Sequence, residues 1–182
     1  MSYLDFPELI NGQEMFAYCK VGSFYGGSFP KCVNFYGMFA NSDIEYFSAA
    51  GIFENVENGG YLPGYTDLNG NSNYFATFRN MFYNCSALET FSTEYFSPPD
   101  SPWMYDGIDG TRMFAKCYNL LSISDEGGLF SYITNCSEMF SGCSSLSQFD
   151  ANISSIKSGY YMFARCANLT SFTSDLTSLT NG

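Results

Sequence analysis

The seven cysteines are the residues of this sequence with the widest chemistry, since a thiolate can be a nucleophile, a metal ligand or half of a disulfide. A nucleophilic cysteine needs a nearby base or a positive environment, yet the chain has no histidine and a formal net charge of −11. Four of the cysteines, Cys85, Cys117, Cys143 and Cys166, recur at one position of a repeated motif. One cysteine per copy predicts a ladder of free thiols, so we expect no zinc site and no cofactor.

Carboxylates are the second group of potentially reactive side chains, with 18 Asp and Glu residues. No pair is singled out by its spacing, which makes a carboxylate-based hydrolase the least favoured functional hypothesis. Residues 67–72 begin like a calcium loop, but Ser72 replaces the required glycine and Phe78 the required glutamate. A turn at Asn69-Gly70 explains this segment better. The sequence therefore predicts a non-enzymatic protein with no catalytic and no metal-binding residues.

A recurring motif, Met-Phe-x-x-Cys-x-x-Leu, runs through the chain in six copies. The last four copies are complete, and their motif residues are the predicted core: Met81, Phe82, Cys85, Leu88, Met113, Phe114, Cys117, Leu120, Met139, Phe140, Cys143, Leu146, Met162, Phe163, Cys166 and Leu169. The first two copies begin at Met15 and Met38 and are one residue shorter. Three residues after the aliphatic position a large apolar residue returns in every copy, as Phe24, Phe47, Phe91, Ile123, Phe149 and Phe172.

The motif spacing predicts the local structure of each copy. Met, Cys and Leu at i, i+4 and i+7 share one face of a helix, which predicts a short helix or 3₁₀ turn. The following Leu-x-x-Phe predicts a short strand. Two residues after the large apolar residue of the strand, the side chain is small in every copy except the fourth, which has Asp125. We therefore expect the strands to stack closely. One unit cannot bury its own apolar face, and stacked neighbours with parallel strands can.

The intervals between successive Met-Phe pairs define the domain organisation. They are 23, 43, 32, 26 and 23 residues, which gives a basic period of about 23, within the range of leucine-rich repeats. The two long intervals carry insertions near residues 51–73 and 92–107, and the first has room for a degenerate repeat around Ile52-Phe53. We therefore expect one domain over residues 1–182, an α/β repeat with six to seven units.

The copies resemble the BspA-like leucine-rich-repeat family, in the variant found in mycoplasma lipoproteins and gut-bacterial surface proteins. Its repeat reads Met-Phe-x-Gly-Cys-x-Ser-Leu, and residues 139–146 match that pattern closely. The resemblance extends from about Leu9 to Phe172 and implies a right-handed solenoid that acts in adhesion or host interaction. Members of the family usually carry a secretion signal and a surface anchor, and neither is seen in this sequence.

Charge and composition restrict the partners. Seven Lys and Arg residues in a chain of net charge −11 predict repulsion of nucleic acids and anionic lipids. No apolar run approaches the length of a membrane span, so membrane insertion is not expected. Charged residues make up only 14%, so Ser, Asn, Thr, Gly and Tyr must cover the surface. We expect an extracellular or surface-displayed protein, alone or as part of a virion.

The insertion at residues 92–107 contains the candidate contact residues, Trp103 and Tyr105, outside every repeated apolar position. Such residues are favoured at contact hot spots, although the segment would equally serve as a lid over a solenoid edge. The leading hypothesis is a non-catalytic binding or adhesion protein for a protein or glycan ligand. The alternative is a structural or receptor-binding component of a bacteriophage virion. Because solenoid ends need covering, a partner subunit that caps one end is also expected.

Overall fold

The computed structural model describes residues 5–50, 52, 76–93, 96 and 107–182. In this part of the chain the regular elements are short strands and a single 3₁₀ helix, Leu129–Tyr132. The strands are β1 (Ser23–Ser28), β2 (Tyr46–Ala50), β3 (Ala76–Thr77), β4 (Thr90–Ser92), β5 (Ile108–Asp109), β6 (Ser122–Ser124), β7 (Ile133–Asn135), β8 (Gln148–Phe149) and β9 (Ser171–Phe172).

The strands that follow the motifs form parallel sheets, as the sequence predicted. One sheet has the order β1-β2-β4-β6, and β8 pairs with β9. The register places equivalent positions of successive copies opposite each other: Phe24 beside Phe47, Phe47 beside Phe91, Phe91 beside Ile123, and Phe149 beside Phe172. The second and third copies are therefore direct neighbours in this sheet, although 43 residues separate their Met-Phe pairs.

A second set of parallel pairs lies upstream of the motifs and contains the sheet β3-β5-β7. Isolated bridges extend it through Asn11 and Asn34 at one end and through Ser158 and Asn181 at the other. All six residues four positions before Met take part in these pairs and are polar, and the side chains of five of them accept a hydrogen bond from the N–H two residues further on. Asn34 Oδ1 accepts from Tyr36 N at 3.0 Å, and Asp109 Oδ1 accepts from Thr111 N at 3.0 Å. Each of these side chains thus shapes the turn that precedes a motif.

The prediction of a short helix or 3₁₀ turn at each motif is wrong, because the described Met-Phe segments are runs of β-turns. The residues one before and three after Met have positive φ in all six copies: Glu14, Tyr18, Gly37, Asn41, Asn80, Asn84, Arg112, Lys116, Glu138, Gly142, Tyr161 and Arg165. Within each copy, bonds from an N–H to the carbonyl three residues back close the turns, as Met113 N donates to Gly110 O at 3.0 Å. A positive φ at the third residue of such a turn is the type II geometry.

Backbone bonds between copies explain why turns replace a helix. Each of the first five copies donates four backbone N–H groups to carbonyls of the following copy. The donors lie three residues and one residue before Met, and one residue and three residues after it. Phe114 N donates to Met139 O at 2.9 Å, for example, and Lys116 N donates to Ser141 O at 2.8 Å. A helix would use the same N–H groups within the copy. A left-handed φ costs a non-glycine residue about 1–2 kcal/mol. Each of the first five copies has one or two such residues, and its four forward hydrogen bonds, at about 1 kcal/mol each, offset that cost.

Two columns of phenylalanine rings fill the space between the turns and the strands. The motif rings stack in succession, with centroid separations of 5.2 Å for Phe16–Phe39 and 5.4 Å for Phe140–Phe163 at the two ends. The strand rings form the second column, which Ile123 interrupts. Phe130 from the 3₁₀ helix lies beside the gap, 6.3 Å from Phe91 and 6.2 Å from Phe149. The predicted motif core is thereby buried, apart from partial exposure in the last copy.

Six residues before Met, every copy except the fourth has an apolar residue, whereas the fourth copy has Gly107, and its backbone shows why. Gly107 has φ +86°, and a Cβ added there would lie 2.3 Å from Thr134 Oγ1. A larger residue would collide with the neighbouring copy, so the buried apolar side chain is supplied by Ile108 instead. Phe75, at the equivalent position of the third copy, lies outside the described residues.

Replacing Leu146 by alanine should lower the free energy of unfolding by about 2–5 kcal/mol, because the side chain is fully buried between neighbouring copies. Chemical denaturation of the wild type and of Leu146→Ala measures the difference. Leu121→Ala is the matched control, since Leu121 is 51% exposed in the preceding copy and should lose little. Equal stability of all three chains would show that the motif leucine is not a core residue.

Candidate functional site

The motif cysteines form a column of thiols that link successive copies. Each donates from Sγ to the carbonyl of the motif phenylalanine in the preceding copy: Cys85 to Phe39, Cys117 to Phe82, Cys143 to Phe114 and Cys166 to Phe140, at 2.9–3.1 Å. The same carbonyls accept the N–H of the Cys or Ser in their own copy. All seven cysteines of the chain are free thiols. Their arrangement indicates a structural role.

Burial makes these thiols poor nucleophiles. It raises the pKa of Cys32 to about 12 and the pKa values of Cys85 and Cys166 to about 11. Burial likewise raises the pKa of the Cys117 and Cys143 thiols well above the ordinary value. These five thiols therefore carry almost no reactive thiolate at neutral pH. Across the described ranges, no three Cys, Asp or Glu side chains come together as a metal site.

The predicted contact residues Trp103 and Tyr105 lie outside the described residues, as does the calcium-like segment 67–72. Their role as a contact site stays a prediction. None of the helices that the structure describes is long and apolar enough to cross a membrane.

A groove with a volume of about 780 Å³ crosses the outer surface of the last copies. Eight of its nine lining residues carry a hydroxyl group, and Lys157 supplies an amine; the residues are Ser131, Tyr132, Thr134, Ser154, Ser155, Lys157, Thr177, Ser178 and Thr180. We name this surface the hydroxyl groove. Hydroxyl groups donate and accept hydrogen bonds, so the groove matches ligands that do the same.

Three equivalent segments, each 23 residues after the previous one, build the hydroxyl groove: residues 131–134, 154–157 and 177–180. The stacking bonds fix their spacing. Lys157 N donates to Thr134 O at 2.8 Å, and Thr180 N donates to Lys157 O at 3.0 Å. Tyr132 ends the 3₁₀ helix, and its ring packs against Phe96 with centroids 6.2 Å apart. The groove is therefore a repeated arrangement across neighbouring copies.

The sequence interpretation missed the hydroxyl groove because it followed the apolar positions of the repeat. An alignment of the copies on Met shows a pair of hydroxyl residues eight and seven positions before Met in the last two copies. The pair is Ser131 and Tyr132 in the fifth copy and Ser154 and Ser155 in the sixth. The first copies differ at the second of these positions, where Lys31 and Glu8 form an ion pair at 2.9 Å. The pair of hydroxyl residues is thus absent from the first two copies.

A smaller, acidic hollow lies beside β6 and β8, with Asp125, Glu126 and Asp150 among its lining residues. Asp125 is the exception to the small residues two positions after the strand aromatic. Its Oδ1 accepts from Thr93 Oγ1 at 3.0 Å in the preceding copy and from Phe130 N at 3.3 Å. Burial raises the pKa of this carboxyl group to about 6. Asp125 therefore ties two copies to the 3₁₀ helix, which accounts for its place in the repeat.

No protein-family model matches the chain, and neither a curated protein nor a solved structure shows significant similarity to it.

In the folded protein, Cys19 should react first with a thiol reagent, because it is exposed while Cys166 is half-buried and the other five are buried. The colour yield of an aromatic disulfide reagent at pH 8 measures this order, and mass spectrometry identifies the labelled residue. After denaturation without reductant the yield should rise to seven thiols. A total near one would mean that the cysteines are paired as disulfides, contrary to the thiol column.

Proposed function

We propose that the chain is a non-catalytic binding protein, built as a right-handed leucine-rich-repeat-type solenoid of the BspA-like kind. In-register parallel strands and forward backbone bonds between successive copies support this architecture. Parallel strands joined by a crossover are right-handed in nearly all proteins, which supports the handedness. The repeat sequence supports the family, and the low charge content and absence of histidine support a role other than catalysis.

The hydroxyl groove carries the proposal for the ligand, a polyhydroxylated molecule such as an oligosaccharide. The decisive observation is that three successive segments present hydroxyl side chains at equivalent positions. A linear glycan also repeats its hydroxyl groups along its length, so one ligand would meet hydroxyl side chains on each of the three segments. Lys157 adds the one amine of the lining and favours sugars that carry a carboxylate or sulfate.

The lining of the groove favours binding over hydrolysis. A glycoside hydrolase uses two carboxyl groups that flank the scissile bond. The hydroxyl groove has no carboxylate among its nine lining residues. The acidic side chains of the neighbouring hollow line a different surface, beside β6 and β8. A bound glycan would therefore be held by hydrogen bonds without an acid and base placed to cleave it.

Removal of three groove hydroxyl groups in the variant Ser154→Ala, Ser155→Ala, Ser178→Ala should weaken binding of a glycan selected on an array by about tenfold or more. These side chains lie at the surface, so the melting temperature should stay unchanged. Calorimetric titration gives the affinity.

The control variant, Ser122→Ala, Ser144→Ala, Ser145→Ala, removes as many hydroxyl groups from residues that do not line the groove. It should bind as the wild type does. Equal losses in the two variants, or no retained glycan on an acidic and neutral array, would contradict the proposed ligand class.

A further inference from the structure

Tyr132 is the one aromatic residue among the described lining residues of the hydroxyl groove, and the fold fixes the position of its ring. It ends the 3₁₀ helix, which buries Leu129 and Phe130. Phe130 N donates to Asp125 Oδ1 at 3.3 Å, which attaches the start of this helix. The Tyr132 ring packs against the buried ring of Phe96, with centroids 6.2 Å apart. A ring that is already held in place loses little freedom when a ligand binds, so contact with Tyr132 has a low entropic cost.

Tyr132 also makes the three segments of the groove unequal. The equivalent residues of the two following segments are Ser155 and Ser178. The first segment therefore presents an apolar ring where the other two present hydroxyl groups. The C–H groups on one face of a pyranose ring pack on an aromatic ring, while its hydroxyl groups donate and accept hydrogen bonds. The first segment thus fits the face of a sugar ring, and the other two fit the hydroxyl groups of its neighbours.

Lys157 supplies a positive charge that no described side chain neutralises. The ion pairs in the described part of the chain are Lys31–Glu8 and Arg112–Glu138. No described Asp or Glu residue lines the groove. Because Lys157 is exposed, its ammonium group is available to an acidic group of a ligand, with which it forms a charge-assisted hydrogen bond.

Tyr132 and Lys157 lie in neighbouring copies. Lys157 N donates to Thr134 O at 2.8 Å, and Thr134 is two residues beyond Tyr132. Thr180 N donates to Lys157 O at 3.0 Å, so the backbone of Lys157 is fixed on both sides. Neighbouring parallel strands are about 4.8 Å apart. A glycan that crosses the copies can therefore place one sugar on Tyr132 and the acidic group of an adjacent sugar at Lys157.

The charge of the protein limits how acidic such a ligand can be. The chain has a net charge of −11, and Lys157 is the one amine of the described lining. Charges further away than about 8 Å are largely screened at physiological salt, so a single acidic group beside Lys157 interacts mainly with that amine. Each further acidic group would find no amine in the lining and would be repelled by the acidic chain. The groove therefore discriminates against polyanions.

We propose that the hydroxyl groove selects oligosaccharides with a single acidic group, which bind with a neutral pyranose ring on Tyr132 and the acidic group at Lys157. This inference rests on the glycan binding proposed above and adds the charge and the orientation of the ligand. A carboxylate and a sulfate ester carry the same negative charge, so a glycan with one uronic acid and a monosulfated glycan both belong to this class.

Calorimetric titration of the full chain with four matched oligosaccharides tests the proposal. The neutral parent is the neutral glycan best retained on an array, and the others carry one uronic acid, one sulfate, or an acidic group on every sugar. We expect at least one singly acidic ligand to bind about tenfold more tightly than the neutral parent, because Lys157 adds one charge-assisted contact. The fully acidic ligand should bind more weakly than the singly acidic ones.

The variant Lys157→Met keeps the length of the side chain and removes its charge. The affinity ratio of the singly acidic to the neutral ligand should fall from about ten to about one. Lys20→Met is the matched control, because Lys20 is an exposed lysine of the first copy and its loss changes the net charge equally. In that variant the ratio should stay at the value of the wild type.

The variant Tyr132→Ser introduces the residue that the other two segments have, and it should weaken the neutral and the singly acidic ligand by the same factor, about tenfold. Tyr132→Phe keeps the ring and its packing and should lose much less. The melting temperature shows whether Tyr132→Ser alters folding, and the comparison of Tyr132→Phe with Lys157→Met stays informative if it does.

Equal affinity of the wild type for the neutral and the singly acidic ligands would overturn the charge selection and leave the proposed glycan binding intact. A preference that survives Lys157→Met, or tightest binding of the fully acidic ligand, would overturn it as well. Equal losses in Tyr132→Phe and Tyr132→Ser would show that the ring is not the contact. Failure of every oligosaccharide to bind would contradict the proposed function itself.

Discussion

Backbone hydrogen bonding between neighbouring copies is the constraint on which the rest of this structure depends. Alternate N–H groups around each of the first five Met-Phe pairs donate forward to the next copy, and the groups between them close β-turns within their own copy. Buried backbone groups are almost always paired, so a segment that stacks in this way must divide its donors between two directions. The alternation requires positive φ at two places in every copy, and residues as unsuited as Arg112 and Lys116 adopt it.

The buried side chains follow from that backbone spacing. Each copy lies close enough to the next for phenylalanine rings to stack at 5.2–5.6 Å and for a thiol to reach the preceding carbonyl. Cysteine fits the position because it is small, apolar and a weak donor. Ser42, which replaces it in the second copy, keeps a polar contact by lying 3.6 Å from Cys85 Sγ. The same spacing brings the hydroxyl groups of residues 131–134, 154–157 and 177–180 to one surface.

The strands could be predicted because the motif repeats. The helices were predicted wrongly because the spacing of Met, Cys and Leu fits both a helix and a run of turns. Phe24, Phe47 and Phe91 recur at one place in the motif, and parallel pairing in register follows when copies stack. Met, Cys and Leu at i, i+4 and i+7 fit one face of a helix, but they fit a run of type II turns equally well. Glu14 and Tyr18 give no local sign of positive φ, since only Gly and Asn favour it strongly. The hydroxyl groove escaped prediction because its residues lie outside the apolar pattern.

Amide hydrogen exchange, resolved residue by residue by NMR, tests the forward bonding most directly. Phe82, Phe114 and Phe140 N–H donate to the next copy and should exchange slowly, whereas the equivalent Phe163 N–H has no acceptor among the residues that the structure describes and should exchange orders of magnitude faster. Tyr161 and Arg165 should follow Phe163, while Met162 and Ala164, whose N–H groups close turns, should be protected more than these neighbours. Equal protection of Phe140 and Phe163, or an i to i−4 pattern typical of a helix, would contradict the account.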